Sequence, residues 1–203
     1  MQEIKVRESI KRLKREVKVN PCNAQAHNEL GLAYNQIGHN QEAVDELKEA
    51  IRIKGDYVEA LFRLGLVYGV LEEHAEAVMA YRSAIKINPD KAEYYYYLAL
   101  AYKKLGRFED AVDTLKKAIK VKDDYADAFV LLGLINGDMG RFQDAADSFK
   151  KAFEIKPDDP VIGLDLGLAY YLSGSRGAAL EQCMVLRGLD RDEADYLYTV
   201  INE

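Results

Sequence analysis

Apolar residues recur along this chain at helical spacing, in paired segments separated by short polar joints. Five segments open alike: LGLAY at 30–34, LGLVY at 64–68, LALAY at 98–102, LGLIN at 132–136 and LGLAY at 166–170. Each starts 34 residues after the one before, and thirteen residues beyond each opening leucine stands an alanine: Ala43, Ala77, Ala111, Ala145 and Ala179. A fixed period of this length predicts stacked repeats, each burying its apolar face against the next. A second segment in each period places apolar residues at i, i+3 and i+7: Val44/Leu47/Ile51, Val78/Tyr81/Ile85, Val112/Leu115/Ile119 and Ala146/Phe149/Phe153. That spacing is one face of a helix. The joints carry Gly38, Gly106, Gly140 and Gly174, where a helix C-cap with positive φ favours glycine. Pro89 and Pro157 stop helices, and Asp90, Asp124 and Asp158 stand where they could cap the next ones. The fold class is all-α.

The 34-residue period, the Leu-Gly pair, the tyrosine three residues after that glycine, the alanine and the closing proline together resemble the tetratricopeptide repeat (TPR) family, across about residues 24–193. The resemblance implies an α-solenoid, a right-handed superhelix of antiparallel helix pairs with about twelve helices. Its phase divides the chain into a basic N-terminal half-repeat or cap at 1–23, repeats at 24–57, 58–91, 92–125, 126–159 and 160–193, and a capping helix at 194–203. Ile10, Leu13 and Val17 fall where the second helix of a preceding repeat would put them. The departures from the pattern are local. Ala99 replaces the Leu-Gly glycine, Glu72 the joint glycine and Asn136 the tyrosine. In the last repeat Leu186 stands for a small alanine and Arg187 for an apolar residue, so irregular packing is expected there.

Function in a solenoid usually resides on its extended concave surface. In the first helix of the third repeat, a helical wheel with Leu98 at 0° puts Tyr94, Tyr95, Ala99, Ala101 and Tyr102 on one broad buried arc. Leu100 falls almost opposite, with Tyr96, Tyr97, Lys103 and Lys104 beside it. In TPR arrays this second arc faces the groove. The residue equivalent to Leu100 is leucine every time: Leu32, Leu66, Leu134 and Leu168. Four residues before each leucine stand Asn28, Phe62, Tyr96, Val130 and Leu164, in chain order. The pairs Phe62/Leu66, Tyr96/Leu100, Val130/Leu134 and Leu164/Leu168 form a ladder of i,i+4 patches. Exposed apolar area of this extent marks an interaction site, although the same leucines could instead be spent packing neighbouring first helices together. Gly69 and Gly137, three residues beyond two of the leucines, would leave the groove wall low.

Co-chaperone TPR domains hold a peptide's terminal carboxylate with lysine and asparagine. Here Asn28 and Leu32 are followed by no matching Lys/Asn pair, which argues against a carboxylate clamp. Lys103 and Lys104 bring positive charge, and Asp138 and Asp165 negative charge. A mixed, mainly apolar groove suits an amphipathic helix or an extended segment with apolar anchors. The partner expected is therefore a protein or peptide with apolar anchors. The competing reading is self-assembly, in which the groove or the basic N-terminal helix contacts identical chains, as in TPR scaffolds associated with magnetosomes.

Charge and composition narrow this further. The 203 residues carry a net charge of −6, which disfavours a general nucleic-acid partner. Residues 1–20 carry seven basic and three acidic side chains, so this segment opposes the rest in sign. Three roles are open to it: a packed helix with a solvated basic face, a docking element for an acidic patch or the groove of another copy, or a contact with an anionic membrane surface. The last has the least support, because its apolar stripe is thin. Cys22 and Cys183 form no motif, which suits a reducing cytoplasm. His27, His39 and His74 form no metal-spaced pair. His27 falls on an inward position, and His39 and His74 near solvated joints. No phosphate loop or catalytic constellation is present, so the reading is a non-enzymatic scaffold with no cofactor.

Overall fold

The computed structural model describes residues 2–203, among which are twelve α-helices packed in consecutive antiparallel pairs. The chain forms two compact units, the first ending at Leu105 and the second beginning at Gly106. The first unit comprises α1 (Gln2–Val19), α2 (Ala24–Gln36), α3 (Asn40–Ile53), α4 (Val58–Val70), α5 (His74–Ile87) and α6 (Ala92–Lys104). The second comprises α7 (Phe108–Val121), α8 (Ala126–Asp138), α9 (Phe142–Ile155), α10 (Pro160–Leu172), α11 (Arg176–Leu186) and α12 (Arg191–Asn202). Within each unit every helix packs against the next in sequence. No described helix is long and apolar enough to cross a membrane.

Small residues set how closely the pairs approach. Ala43, Ala77, Ala111 and Ala179 are wholly buried, and Ala145 nearly so. The Leu-Gly glycines accept large side chains from the partner helix. A Cβ on Gly31 would meet Leu47, one on Gly65 the ring of Tyr81, and one on Gly133 the ring of Phe149.

α1 stands to α2 as α3 stands to α4. Ile10 and Leu13 are buried, and Lys14 reaches the Tyr34 ring at 5.4 Å as Lys48 reaches the Tyr68 ring at 5.7 Å. A hydrogen bond to the tyrosine is the main cause that raises the pKa of both lysines. The basic segment is thus a packed helix, and its remaining basic side chains are exposed.

The joint glycines Gly38, Gly106, Gly140 and Gly174 all have φ between 70° and 83°. Glu72 takes the same left-handed turn with φ 60° and no glycine to ease it. A Cβ in that region costs about 1–2 kcal/mol, partly offset by the extra chain entropy a glycine would lose. Glu72→Gly should therefore raise the unfolding free energy by about 0.5–1 kcal/mol, read as a higher urea midpoint with unchanged slope. A lower midpoint would show that the Glu72 side chain stabilises the joint.

The capping expectation needs correction. Asp90, Asp124 and Asp158 do not serve as N-caps. Lys91 and Tyr125 occupy those positions without a side-chain bond. The cap of α10 is Asp159, whose carboxylate accepts from the backbone N–H of Val161 and Ile162, with Pro160 in the first turn. The interhelix turns are one residue longer than the Pro-Asp spacing suggested, so the aspartate one place earlier lies outside the helix.

The last helix pair departs from the others. α11 has 11 residues against 14 in α9. Leu186 is fully buried, and a Cβ on Gly163 would lie 2.9 Å from its Cδ2. Cys183 takes the place of Leu47 and Phe149 but is too small to cover Gly167. Leu197 of α12 covers it instead, lying where a Cβ on Gly167 would be. Cys183, Leu186, Ala194, Leu197 and Ile201 form one core, and the Cys183 Sγ lies 3.1 Å from the Ala194 carbonyl oxygen, which it meets as donor.

Candidate functional site

Each unit carries an apolar cleft between two neighbouring ladder leucines. In the first unit, a cleft of about 280 Å³ runs between Leu66 on α4 and Leu100 on α6, with Tyr81 of α5 behind them. In the second, a cleft of about 210 Å³ runs between Leu134 on α8 and Leu168 on α10, with Phe149 of α9 behind. The two are built from equivalent positions 68 residues apart, two periods of the repeat. Gly69 lines the first and Gly137 the second. A Cβ on either would meet nothing within 4 Å. At the equivalent places stand Asn35, Lys103 and Tyr171, so a side chain is missing only in alternate repeats.

The expected groove residues sort by their surroundings. Leu66 and Leu100 are half-buried and line the first cleft with Tyr97 and the exposed Lys104. Leu134, 42% exposed, and half-buried Leu168 line the second. Leu32 is half-buried in α2. Tyr96 is half-buried, with its ring edge-on to Tyr97 at 5.4 Å between centroids. Lys103 is half-buried and lines neither cleft.

Of the four companion residues with a ladder leucine, Phe62 is buried, which corrects the expectation that it projects into the groove, while Tyr96, Val130 and Leu164 are half-buried. Phe62 is 8% exposed. It is the hub of an aromatic cluster, with ring centroids 4.7 Å from Tyr94, 5.5 Å from Tyr97 and 5.8 Å from Tyr81. Val130 packs against the core around Phe149 and Leu166, and Leu164 against that around Leu186 and Leu197. Asn28, 3% exposed, donates from Nδ2 to the Tyr57 hydroxyl at 3.2 Å. The physical reason is geometric. Phe62, Val130 and Leu164 lean toward the helices that follow them, Phe62 onto Tyr81 of α5 and Tyr94 and Tyr97 of α6.

The second helices add what the wheel left out. His74, the first residue of α5, lines the first cleft and is half-buried rather than solvated. Phe142 takes the same place in the second cleft. A large residue at the start of a second helix, paired with glycine near the end of the first, was the available signal. Burial, then the nearby Tyr97, pushes the Tyr81 phenol above its ordinary range, so the back wall of the first cleft stays uncharged.

The remaining histidines and the cysteines lie outside both clefts. His27 is buried, with Nδ1 2.6 Å from the Glu46 carboxylate and Nε2 3.2 Å from the Pro21 carbonyl oxygen. His39 is exposed and stacks on Tyr34 with centroids 6.1 Å apart. Cys22 is exposed and Cys183 buried. Among the described residues, no cluster of His, Cys, Asp and Glu is placed to hold a metal.

A family model described as the tetratricopeptide repeat protein 21 C-terminal ARM domain matches residues 5–185. The chain belongs to this tetratricopeptide repeat family. TPR structures share its fold. A crystal structure of MamA protein superposes with a TM-score of 0.77 at 26% identity, covering 85% of this chain and 94% of that one. YrrB, described as a TPR protein with an unusual peptide-binding site, gives 0.75 at 18% identity, covering 92% and 97%. PilF of Pseudomonas aeruginosa gives 0.68 at 21% identity, covering 86% and 88%. A search of curated proteins finds no match. TPR proteins generally mediate protein–protein interactions and are typically non-catalytic.

Proposed function

We propose that this TPR protein is a non-enzymatic scaffold that binds a peptide or amphipathic helix of a partner protein through apolar anchors seated in the two clefts. The observation that carries the reading is the pair of glycine-floored clefts between ladder leucines, at matching positions in both units. Concave apolar sites with a few polar groups at the rim suit amphipathic ligands. Leu66, Leu100, Leu134 and Leu168 are the anchoring wall, with Tyr97 and Lys104 setting the rim of the first cleft and Tyr96 and Lys103 lying outside it. The repeats are taken as 24–57, 58–91, 92–125, 126–159 and 160–193.

Replacing Leu66 and Leu100 by Asp should abolish capture of the partner from a lysate of the source organism, because two charges would line the cleft. Both leucines are only half-buried, so the helical circular dichroism should persist. Undiminished capture by the folded double variant overturns the reading.

A second reading is self-assembly. It is supported by exposed apolar side chains on α11 and α12, including Met184, Val185, Tyr196 and Tyr198, and by the basic α1 on an acidic body. Light scattering on the full chain, and on one lacking residues 1–20, separates the two. A monomer at all concentrations and salts removes self-assembly.

A further inference from the structure

The two clefts share a plan but not a charge. Where the first has Val70, Tyr97 and Lys104, the second has the exposed Asp138, then Asp165 and Leu172. Asp165 lies on α10 one turn before Leu168, half-buried in the cleft wall. Burial first, then the like charges of Asp159 and Glu193, raise its carboxyl pKa above the ordinary range. Among the described residues no hydrogen bond or ion pair offsets this. A carboxylate drawn partly out of water beside apolar side chains is costly unless a cation meets it. Below it the cleft is open to Gly137 and walled by Phe149 and Leu168. Its volume is below that of a drug-sized site and suits a single apolar side chain.

We infer that the second cleft takes an apolar side chain of a partner peptide flanked by a lysine or arginine, with Asp165 as the counter-charge. This rests on the clefts being ligand sites. The apolar anchor supplies affinity through burial, and the cation supplies selectivity, because it removes the mismatch at Asp165 while an acidic neighbour would worsen it.

The test uses two fluorescein-labelled, alanine-based helical peptides with leucines at i and i+4, one with lysines beside the leucines and one with glutamates there. Anisotropy is measured with the full chain. The lysine peptide should bind about tenfold more tightly, the size of one partly desolvated charge-assisted contact. Asp165→Asn should cut the ratio severalfold, the remainder of the preference coming from the exposed Asp138 on the same cleft. Asp158→Asn makes the same change of net charge at an exposed loop and should leave the preference intact. Leu134→Asp with Leu168→Asp should remove the Asp165-dependent binding.

If the double leucine variant weakens binding while Asp165→Asn and Asp158→Asn behave alike, the counter-charge inference falls and the cleft reading stands. If the leucine variant binds as well as wild type, the cleft reading itself falls. Failure of both peptides to bind wild type overturns the inference.

Discussion

Leu186→Ala should lower the unfolding free energy by about 3 kcal/mol, as expected for removing a fully buried leucine whose surroundings cannot collapse. By the 34-residue period, Leu186 corresponds to Ala50, Ala84, Ala118 and Ala152, and Gly163 corresponds to His27, Leu61, Tyr95 and Phe129. The last pair of the period has exchanged large for small. Leu186 fills the room that Gly163 leaves, and a Cβ on Gly163 would be 2.9 Å from its Cδ2. Gly163→Leu alone should also destabilise, by about 1–3 kcal/mol, through overpacking. The double variant Gly163→Leu, Leu186→Ala should lose clearly less than the sum, since each change makes room for the other. Urea denaturation followed by circular dichroism measures all three. Simple additivity would show that the two positions do not compensate.

Gly65→Ala and Gly69→Ala should act in opposite directions, although they lie one turn apart on α4. A Cβ on Gly65 would lie 2.5, 2.7 and 2.8 Å from three carbons of the Tyr81 ring. That ring is 3% exposed and cannot swing aside, with Phe62 at 5.8 Å and Tyr97 at 6.1 Å between centroids. The cost should be about 1–3 kcal/mol. At Gly69 the added methyl meets nothing, so the helix gains about 0.5–1 kcal/mol in propensity. The same methyl sits on the floor of the cleft. Gly69→Ala should therefore give a more stable protein that captures its partner less well. A stabilised variant with full capture would show that the glycine is not part of the site.

The repeat and the helix pairs were legible because period and phase recur five times, and each recurrence checks the others. The wheel through Leu98 set Leu66, Leu100, Leu134 and Leu168 on the arc away from the core, and in the structure three are half-buried and Leu134 is exposed. It misjudged Phe62, because a single-helix wheel contains no neighbour to cover a residue. It passed over His74, Tyr81, Phe142 and Phe149, because they lie on second helices, which pattern alone assigns to packing. Asp165 was visible only as a charge. Its significance depends on Leu168, Gly137 and Phe149 lying around it, and tertiary packing decides that.

The alternation of Gly69 and Gly137 with Asn35, Lys103 and Tyr171 has a consequence for how such chains diversify. Packing counts in steps of 34 residues, but open floors recur in steps of 68. Duplicating one repeat would preserve the core and throw the glycines out of step, whereas duplicating two together would keep their alternation. The unit step for packing is a single helix pair, and the unit step for an open floor is two.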